Sequence, residues 1–237
     1  MLGYMTILAG IVTALAMIVL IYSATKLNFR DTSKYIFVGL LLAAIDFIAE
    51  YSGTYWGQWH YVDSIYFIKG LVPIELIFLF FSCGVLLRYV FMNVSKIKAP
   101  IKLNTLLYLT TIFALAIYVR ELYLGLDTYQ LVFAVPIGIW GILNIKEKNR
   151  TAAFAIALLV MAFDLIFETI IIKAGGYSYS YNFTLLIPMA YGMLALGLLG
   201  LIEQMHKLDD FLNRPAIRRL LKSLGVYRFV NGKHGKK

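Results

Sequence analysis

Five acidic side chains lie inside apolar stretches of the sequence that are long enough to cross a membrane. They are Asp46, Glu50, Glu75, Asp164 and Glu168. A carboxylate at the bilayer centre costs at least about 2.5 to 3.5 kcal/mol on insertion scales, so we expect these acids to share an interior cavity and to have a function. In each Asp and Glu pair, a spacing of four residues places both carboxyls on one helix face, about one turn apart.

The chemistry that such a cavity favours is proton donation. Desolvation and crowding of like charges both disfavour the ionised carboxyl, so we expect at least one of the acids to be protonated at neutral pH. A protonated carboxyl in apolar surroundings can donate to an alkene and generate a carbocation. The structural alternative for each acid is a carboxyl that bridges helices, or one that pairs with Lys69 or a backbone carbonyl.

Aromatic residues follow each acid pair, with Trp59 and Tyr61 after the first and Tyr179 after the second. Aromatic side chains at this position usually form a belt at the membrane surface. Alternatively, some of the ring faces line the cavity and stabilise a cation through the ring quadrupole.

The composition is that of a membrane protein, because 61% of the 237 residues are apolar and 15% are charged. About 20 helical residues cross a bilayer, so the chain has room for about seven crossings and not for a soluble catalytic domain. Apolar runs of sufficient length occur at residues 4–25, 35–54, 64–92, 103–119, 129–145, 151–172 and 183–204. The sequence therefore predicts an all-α fold, a bundle of seven transmembrane helices.

Metal and cofactor sites have no support in the sequence. The single cysteine, Cys83, excludes an intramolecular disulfide, and the three histidines are scattered. The chain has neither a HExxH nor a CxxC spacing, nor the GxGxxG fingerprint of dinucleotide binding. We therefore predict no metal and no cofactor.

The basic residues predict the orientation in the cell membrane. The first, third and fifth loops hold three Lys or Arg each and the C-terminal tail holds nine, whereas the opposite side holds Arg120 and Lys173. Since Lys and Arg in short loops stay on the cytoplasmic side, the N-terminus is predicted outside and the tail inside. The tail then binds anionic lipid headgroups rather than nucleic acid, and residues 215–229 could lie as an interfacial helix.

An internal duplication is indicated when the chain is compared with itself at an offset of 118 residues. The matches are Asp46 with Asp164, Ile48 with Ile166, Glu50 with Glu168, Gly57 with Gly175 and Tyr61 with Tyr179. They predict two parallel three-helix repeats, residues 1–92 and 127–205, joined by a linking fourth helix within residues 93–126 and followed by the basic tail, residues 206–237.

One segment carries a family resemblance: residues 45 to 81, IDFIAEYSGTYWGQWHYVDSIYFIKGLVPIELIFLFF. It resembles the integral-membrane lycopene cyclase domain, which occurs as small paired bacterial subunits and as fused archaeal and fungal chains. The matching features are Asp46, Trp59, Tyr61, the Pro73-Ile74-Glu75 motif and the following Phe78, Phe80 and Phe81, with Asp164, Glu168, Tyr179 and Pro188 in the second copy. The family motif is usually Pro-x-Glu-Glu, whereas here Leu76 replaces the second Glu, and the second copy reads Pro188, Met189, Ala190 and Tyr191.

The resemblance implies an isomerase of carotenoid biosynthesis that cyclises the end group of a linear polyene without redox chemistry and without a flavin. Glu75 would donate the proton, and Asp46 or Asp164 would remove one or steady the cation, with Glu50 and Glu168 completing the catalytic set. Phe78 joins Trp59, Tyr61 and Tyr179 as candidates for lining the cavity or stabilising the cation. Whether the chain forms a homodimer stays open.

Other functions compete with this one. A small-solute or proton-coupled transporter also suits parallel repeats, although none of the five prolines is followed by Gln as in the sugar carriers. A polyene hydratase or another terpenoid cyclase would use the same acid, and a non-catalytic lipid-binding or assembly subunit is a further alternative. A retinal protein is excluded because residues 182–204 contain no lysine for a Schiff base.

Overall fold

The computed structural model describes residues 4–26, 29–62, 64, 66–94, 129–173, 175–179, 186–212, 214, 215 and 219. These residues are mostly helical. The helices are α1 (Tyr4–Lys26), α2 (Phe29–Tyr55), α3 (Ile74–Val94), α4 (Tyr129–Asn144), α5 (Glu147–Lys173) and α6 (Leu186–Leu212). Within this described part, α1, α2, α3, α5 and α6 are long and apolar enough to cross a membrane, and α4 contributes a shorter apolar helix.

The burial pattern is the reverse of that in a soluble protein. Large apolar side chains such as Ile18, Ile48 and Leu143 are more than 60% exposed, whereas Asp46, Glu50, Asp164 and Glu168 are buried. In water such a surface would be strongly unfavourable, but in a bilayer it faces lipid while the polar groups find partners inside. The chain is thus a helical protein with the surface expected of a membrane protein.

The structure corrects one boundary of the predicted spans. The third helix begins at Ile74 rather than near residue 64. The last helix continues to Leu212, while its apolar span, Ile187–Met205, ends within one residue of the predicted one. The linking helix predicted within residues 93–126 falls almost wholly on residues 95–128, which lie outside the described residues.

A short hairpin explains why the third helix starts late. Strands β2 (Phe67–Ile68) and β3 (Val72–Pro73) pair antiparallel. Between them Lys69 and Gly70 both have positive φ angles, 50° and 73°, and such a turn cannot continue as a helix. The apolar residues around this turn resemble a span by hydropathy alone, but they form a folded loop.

The two halves of the chain share their element boundaries. Helices α2 and α5 both have 27 residues, and each bound of α5 is that of α2 shifted by 118. The same shift relates strand β1 (Trp59–Tyr61) to strand β4 (Tyr177–Tyr179) and relates Gly57 to Gly175, which have φ angles of 70° and 75°. The offset that matches side chains in the sequence therefore also matches turns and strands.

Strands β1 and β4 pair with each other and so connect the halves. The antiparallel register joins Trp59 to Tyr179, His60 to Ser178 and Tyr61 to Tyr177. His60 and Ser178 are themselves 118 residues apart, so the ladder has an approximate two-fold axis through its central pair.

Glycines allow helices within each half to approach closely. A Cβ atom on Gly84 of α3 would lie 2.7 Å from the carbonyl oxygen of Val38 on α2. In the second half, a Cβ atom on Gly141 of α4 would lie 2.2 Å from the carbonyl oxygen of Leu196 on α6. Small residues at such contacts are typical of membrane helix packing, which depends on close van der Waals contact.

We expect Gly141→Ala to destabilise the protein, because the added methyl group forces α4 and α6 apart. Overpacking of this kind costs about 1–3 kcal/mol. The matched control is Gly10→Ala, since a Cβ atom there has no neighbour within 4 Å. Thermal unfolding in detergent should show a lower midpoint for Gly141→Ala alone. Equal midpoints for the two variants would contradict the close contact.

Candidate functional site

The Glu50 carboxyl on α2 is held by two aromatic side chains of strand β1. Its Oε2 atom accepts a hydrogen bond from the Trp59 indole Nε1–H at 2.8 Å and another from the Tyr61 hydroxyl at 2.5 Å. The turn at Gly57 reverses the chain after α2, so β1 runs back over the helix end. Gly53 makes room for Trp59, because a Cβ atom there would lie 2.1 Å from the indole ring.

Tyr191 on α6 connects the two acids of α2. Its hydroxyl lies 3.2 Å from Asp46 Oδ1 and 3.4 Å from Glu50 Oε1. The Tyr191 ring stacks on Phe80 of α3, with centroids 5.8 Å apart and planes 20° apart. Three helices therefore determine the position of this hydroxyl.

The second acid pair, on α5, lies within electrostatic range of Tyr191. Asp164 and Glu168 are buried, and both interact electrostatically with Tyr191, as do Asp46 and Glu50. Cys83 of α3 lies close enough to interact with both Asp46 and Asp164. Asp46 and Glu50 thus contact Tyr191 directly and Asp164 and Glu168 lie within electrostatic range of it, and we call Asp46, Glu50, Asp164, Glu168 and Tyr191 the acid cluster.

Asp164 differs from Asp46 in its hydrogen bonding. Its Oδ2 atom is buried and has no hydrogen-bond partner among the described residues, whereas Asp46 contacts Tyr191. A buried carboxyl oxygen without a partner is costly, so this atom is the natural contact point for a ligand or a water.

The cluster lies deep in the bundle. Asp46 and Asp164 each precede the end of their helix by nine residues. At 1.5 Å per residue this is about 14 Å, close to half the hydrocarbon thickness of about 30 Å. Glu50 and Glu168 are one turn nearer to the β1 and β4 ladder.

Glu75 lies in a different place. It is the second residue of α3 and so belongs to the first turn, not to the middle of a span as the sequence predicts. Its carboxyl accepts hydrogen bonds from Thr6 of α1 at 3.1 Å and from Ser64 of the loop at 2.6 Å. These bonds tie α1 and the loop to the start of α3.

The predicted aromatic residues occupy three kinds of position. Trp59 is buried and Tyr61 half-buried, and both contact the acid cluster through Glu50. Phe78 is 54% exposed on α3 and so lies apart from the cluster. Tyr179 pairs with Trp59 through its backbone, and its side chain lies outside the described part of the structure.

An apolar groove lies between α2, α4 and α6. It has a volume of about 140 Å³, and its lining includes Leu42 and Ile45 of α2, Trp140 of α4 and Leu194 of α6. Ile45 precedes Asp46, and Leu194 lies one turn beyond Tyr191 on the same helix. A cavity of about 150 Å³ lined by such side chains binds benzene, so the groove suits a small hydrocarbon group.

The site residue that the sequence did not predict is Tyr191. It stands at the fourth position of the second Pro-x-x-x segment, where the family motif has an acid, and this position was the only signal. Among the described residues, no group of three or more His, Cys, Asp or Glu side chains is arranged to hold a metal ion.

No protein-family model, no curated protein and no solved structure matches the chain. The chemistry of the site is therefore inferred from its own geometry.

The Trp59 hydrogen bond gives a direct spectroscopic prediction. We expect Gly53→Ala to displace the indole from Glu50 and to shift its emission to longer wavelength, because the ring moves toward solvent. Trp56 and Trp140 would first be replaced by Phe, so that Trp59 is the single emitter. The control is Ser52→Ala, at the helix position before Gly53, because the Ser52 hydroxyl bonds to the backbone of its own helix. Identical spectra for the two variants would show that the indole does not depend on Gly53.

Proposed function

We propose that the chain is a membrane-embedded isomerase related to the lycopene cyclases, which cyclises the end of a linear polyene through a carbocation. The observation that carries the proposal is the burial of acids from both halves of the chain, of which Asp46 and Glu50 contact Tyr191 directly. The sequence resemblance names the substrate class, and the apolar groove between α2, α4 and α6 is compatible with a hydrocarbon end group.

The reaction needs one acid and one base and no electron transfer. A carboxyl donates its proton to the terminal double bond, and the neighbouring alkene attacks the tertiary cation to close a six-membered ring. A carboxylate then removes a proton, which restores the double bond and balances the charge. Water must be excluded because it would capture the cation as an alcohol.

We place the proton donor in the acid cluster. Asp164 is the preferred donor, since its Oδ2 atom is buried and lacks a partner among the described residues. Glu75, the donor by resemblance, already binds Thr6 and Ser64 at the helix start. For Glu75 we propose a positioning role at the junction of α1, α3 and the loop.

The proposed architecture is a bundle of seven helices in which residues 103–119 form the linking span. Its support is the shift of 118 residues between helix bounds, which pairs α1 to α3 with α4 to α6 and leaves one span between them. The basic loops and tail support an N-terminus outside the cell membrane and a cytoplasmic tail. The acid cluster then lies in the outer half to middle of the bilayer.

We expect expression in a lycopene-accumulating host to yield a ring-bearing carotenoid, detected by pigment chromatography. Asp164→Asn should lower the ring-bearing product by about 10²- to 10⁴-fold, the usual range for losing a general acid. Glu75→Gln should retain most of the product, because it keeps the side-chain volume and one oxygen acceptor.

The controls distinguish a wrong assignment of the proton donor from a wrong assignment of the function. Immunoblotting of membranes checks that both variants accumulate. Unchanged lycopene with the intact protein would contradict the proposed function. Loss of product in Glu75→Gln alone would restore Glu75 as the donor.

The groove gives a second test of the substrate. Leu194→Phe adds a larger side chain to the lining and should reduce product formation, because the ring fills space that the hydrocarbon end would occupy in the groove. Leu143→Phe is the matched control, since Leu143 is 72% exposed on the outer surface of α4. Equal product from both variants would show that the substrate does not use the groove.

A proton-coupled transporter is the second candidate. It is favoured by the location of the acids at the interface of two repeats, where such proteins bind their substrates. Uptake of solute into proteoliposomes, driven by a pH gradient, distinguishes it from the enzyme. Hydration by the same acid, as in a polyene hydratase, would be recognised by an alcohol product in the chromatography.

A further inference from the structure

A chain of hydrogen-bonded side chains runs from the ladder end of the bundle to its middle. It begins at Tyr61, which is half-buried on β1, and passes to Glu50 at 2.5 Å. From Glu50 it continues through the Tyr191 hydroxyl, at 3.4 Å, to Asp46, at 3.2 Å. Each of these four groups can both donate and accept a hydrogen bond when the carboxyls are protonated in turn.

The geometry at Tyr191 favours a shared proton over a hydrogen bond divided between two ionised carboxyls. A tyrosine hydroxyl has a single hydrogen, yet it lies within hydrogen-bond distance of one oxygen on each of two carboxyls. If both carboxyls were ionised, one of these contacts would join two acceptors. A proton on either carboxyl removes the conflict, because Tyr191 then accepts from that carboxyl and donates to the other.

When Glu50 is protonated, its proton lies on a defined carboxyl oxygen. Its Oε2 atom already accepts from both Trp59 and Tyr61, so the oxygen that is free to carry hydrogen is Oε1, which faces Tyr191. The stacking of Tyr191 on Phe80 fixes the hydroxyl between the two acids. The proton can therefore move by short hops without rotation of a backbone element.

We propose that these four side chains form a proton path between the ladder end of the bundle and its buried centre. In each hop one O–H bond breaks on the donor and one forms on the acceptor, with no change in oxidation state. Tyr61 receives a proton from the aqueous boundary as it passes its own to Glu50. Tyr191 passes the proton between Glu50 and Asp46, so its role is to relay and not to contact a substrate.

The path goes beyond the proposed function, because it requires neither a polyene nor any other substrate. It supplies protons to Asp46, one acid of the cluster, from one side of the membrane. Its test therefore uses the full chain in lipid nanodiscs with nothing bound, so its result is independent of the cyclisation assay.

The experiment follows hydrogen exchange of protonated carboxyls by infrared spectroscopy after transfer to deuterated buffer. The carboxyl C=O band moves to lower wavenumber on deuteration, and Asp46→Asn and Glu50→Gln assign its components. In Tyr191→Phe we expect the Glu50 component to exchange at its original rate and the Asp46 component to slow by about tenfold or more, the effect of losing one hydrogen-bonded step. In Tyr61→Phe both components should slow.

Tyr35→Phe is the matched control, because Tyr35 is a buried tyrosine that lies over Arg88, 4.9 Å from its guanidinium, and not in the cluster. Amide exchange recorded on the same samples excludes general loosening of the bundle. Unchanged Asp46 exchange in Tyr191→Phe would overturn the proposal. So would the absence of any carboxyl band that Asp46→Asn or Glu50→Gln removes.

Discussion

The constraint on which the structure depends is the cost of placing carboxyl groups in the middle of an apolar bundle. Asp46, Glu50, Asp164 and Glu168 are buried, and each must find polar partners or hold its proton. The structure meets this constraint by bringing the acids of two helices to one tyrosine on a third. The packing of α2 against α6 is therefore specified by polar groups as well as by apolar contacts.

The loop between α2 and α3 has a structural role that follows from the same constraint. Gly57 turns the chain back, Gly53 leaves room for the indole, and Trp59 and Tyr61 then donate to Glu50. These aromatic residues would form an interfacial belt by position alone. Their hydrogen-bonding groups point inward, so these residues also position the carboxyl of Glu50.

Hydropathy and spacing predicted a helical membrane protein and identified the acids that are buried, because both depend on local composition. They could not predict that Glu75 lies in the first turn of α3, since residues 64–73 are apolar enough to extend a span. The turn at Lys69 and Gly70 prevents a helix from continuing through these residues. It depends on positive φ angles, which hydropathy does not report. Tyr191 was missed because its place in the second Pro-x-x-x segment was the only signal, and the acids that contact it are distant in the sequence.

The pairing of β1 with β4 has the form of an isologous contact, in which each partner offers the same edge and the central residues are equivalent. Two separate three-helix subunits could make this contact as a symmetric dimer, but identical subunits would place identical side chains on both sides of the axis. Joining them in one chain removes that restriction. Tyr191 can then occupy one side while Leu76 occupies the related motif position on the other, so a single gene can encode two unlike halves of one site.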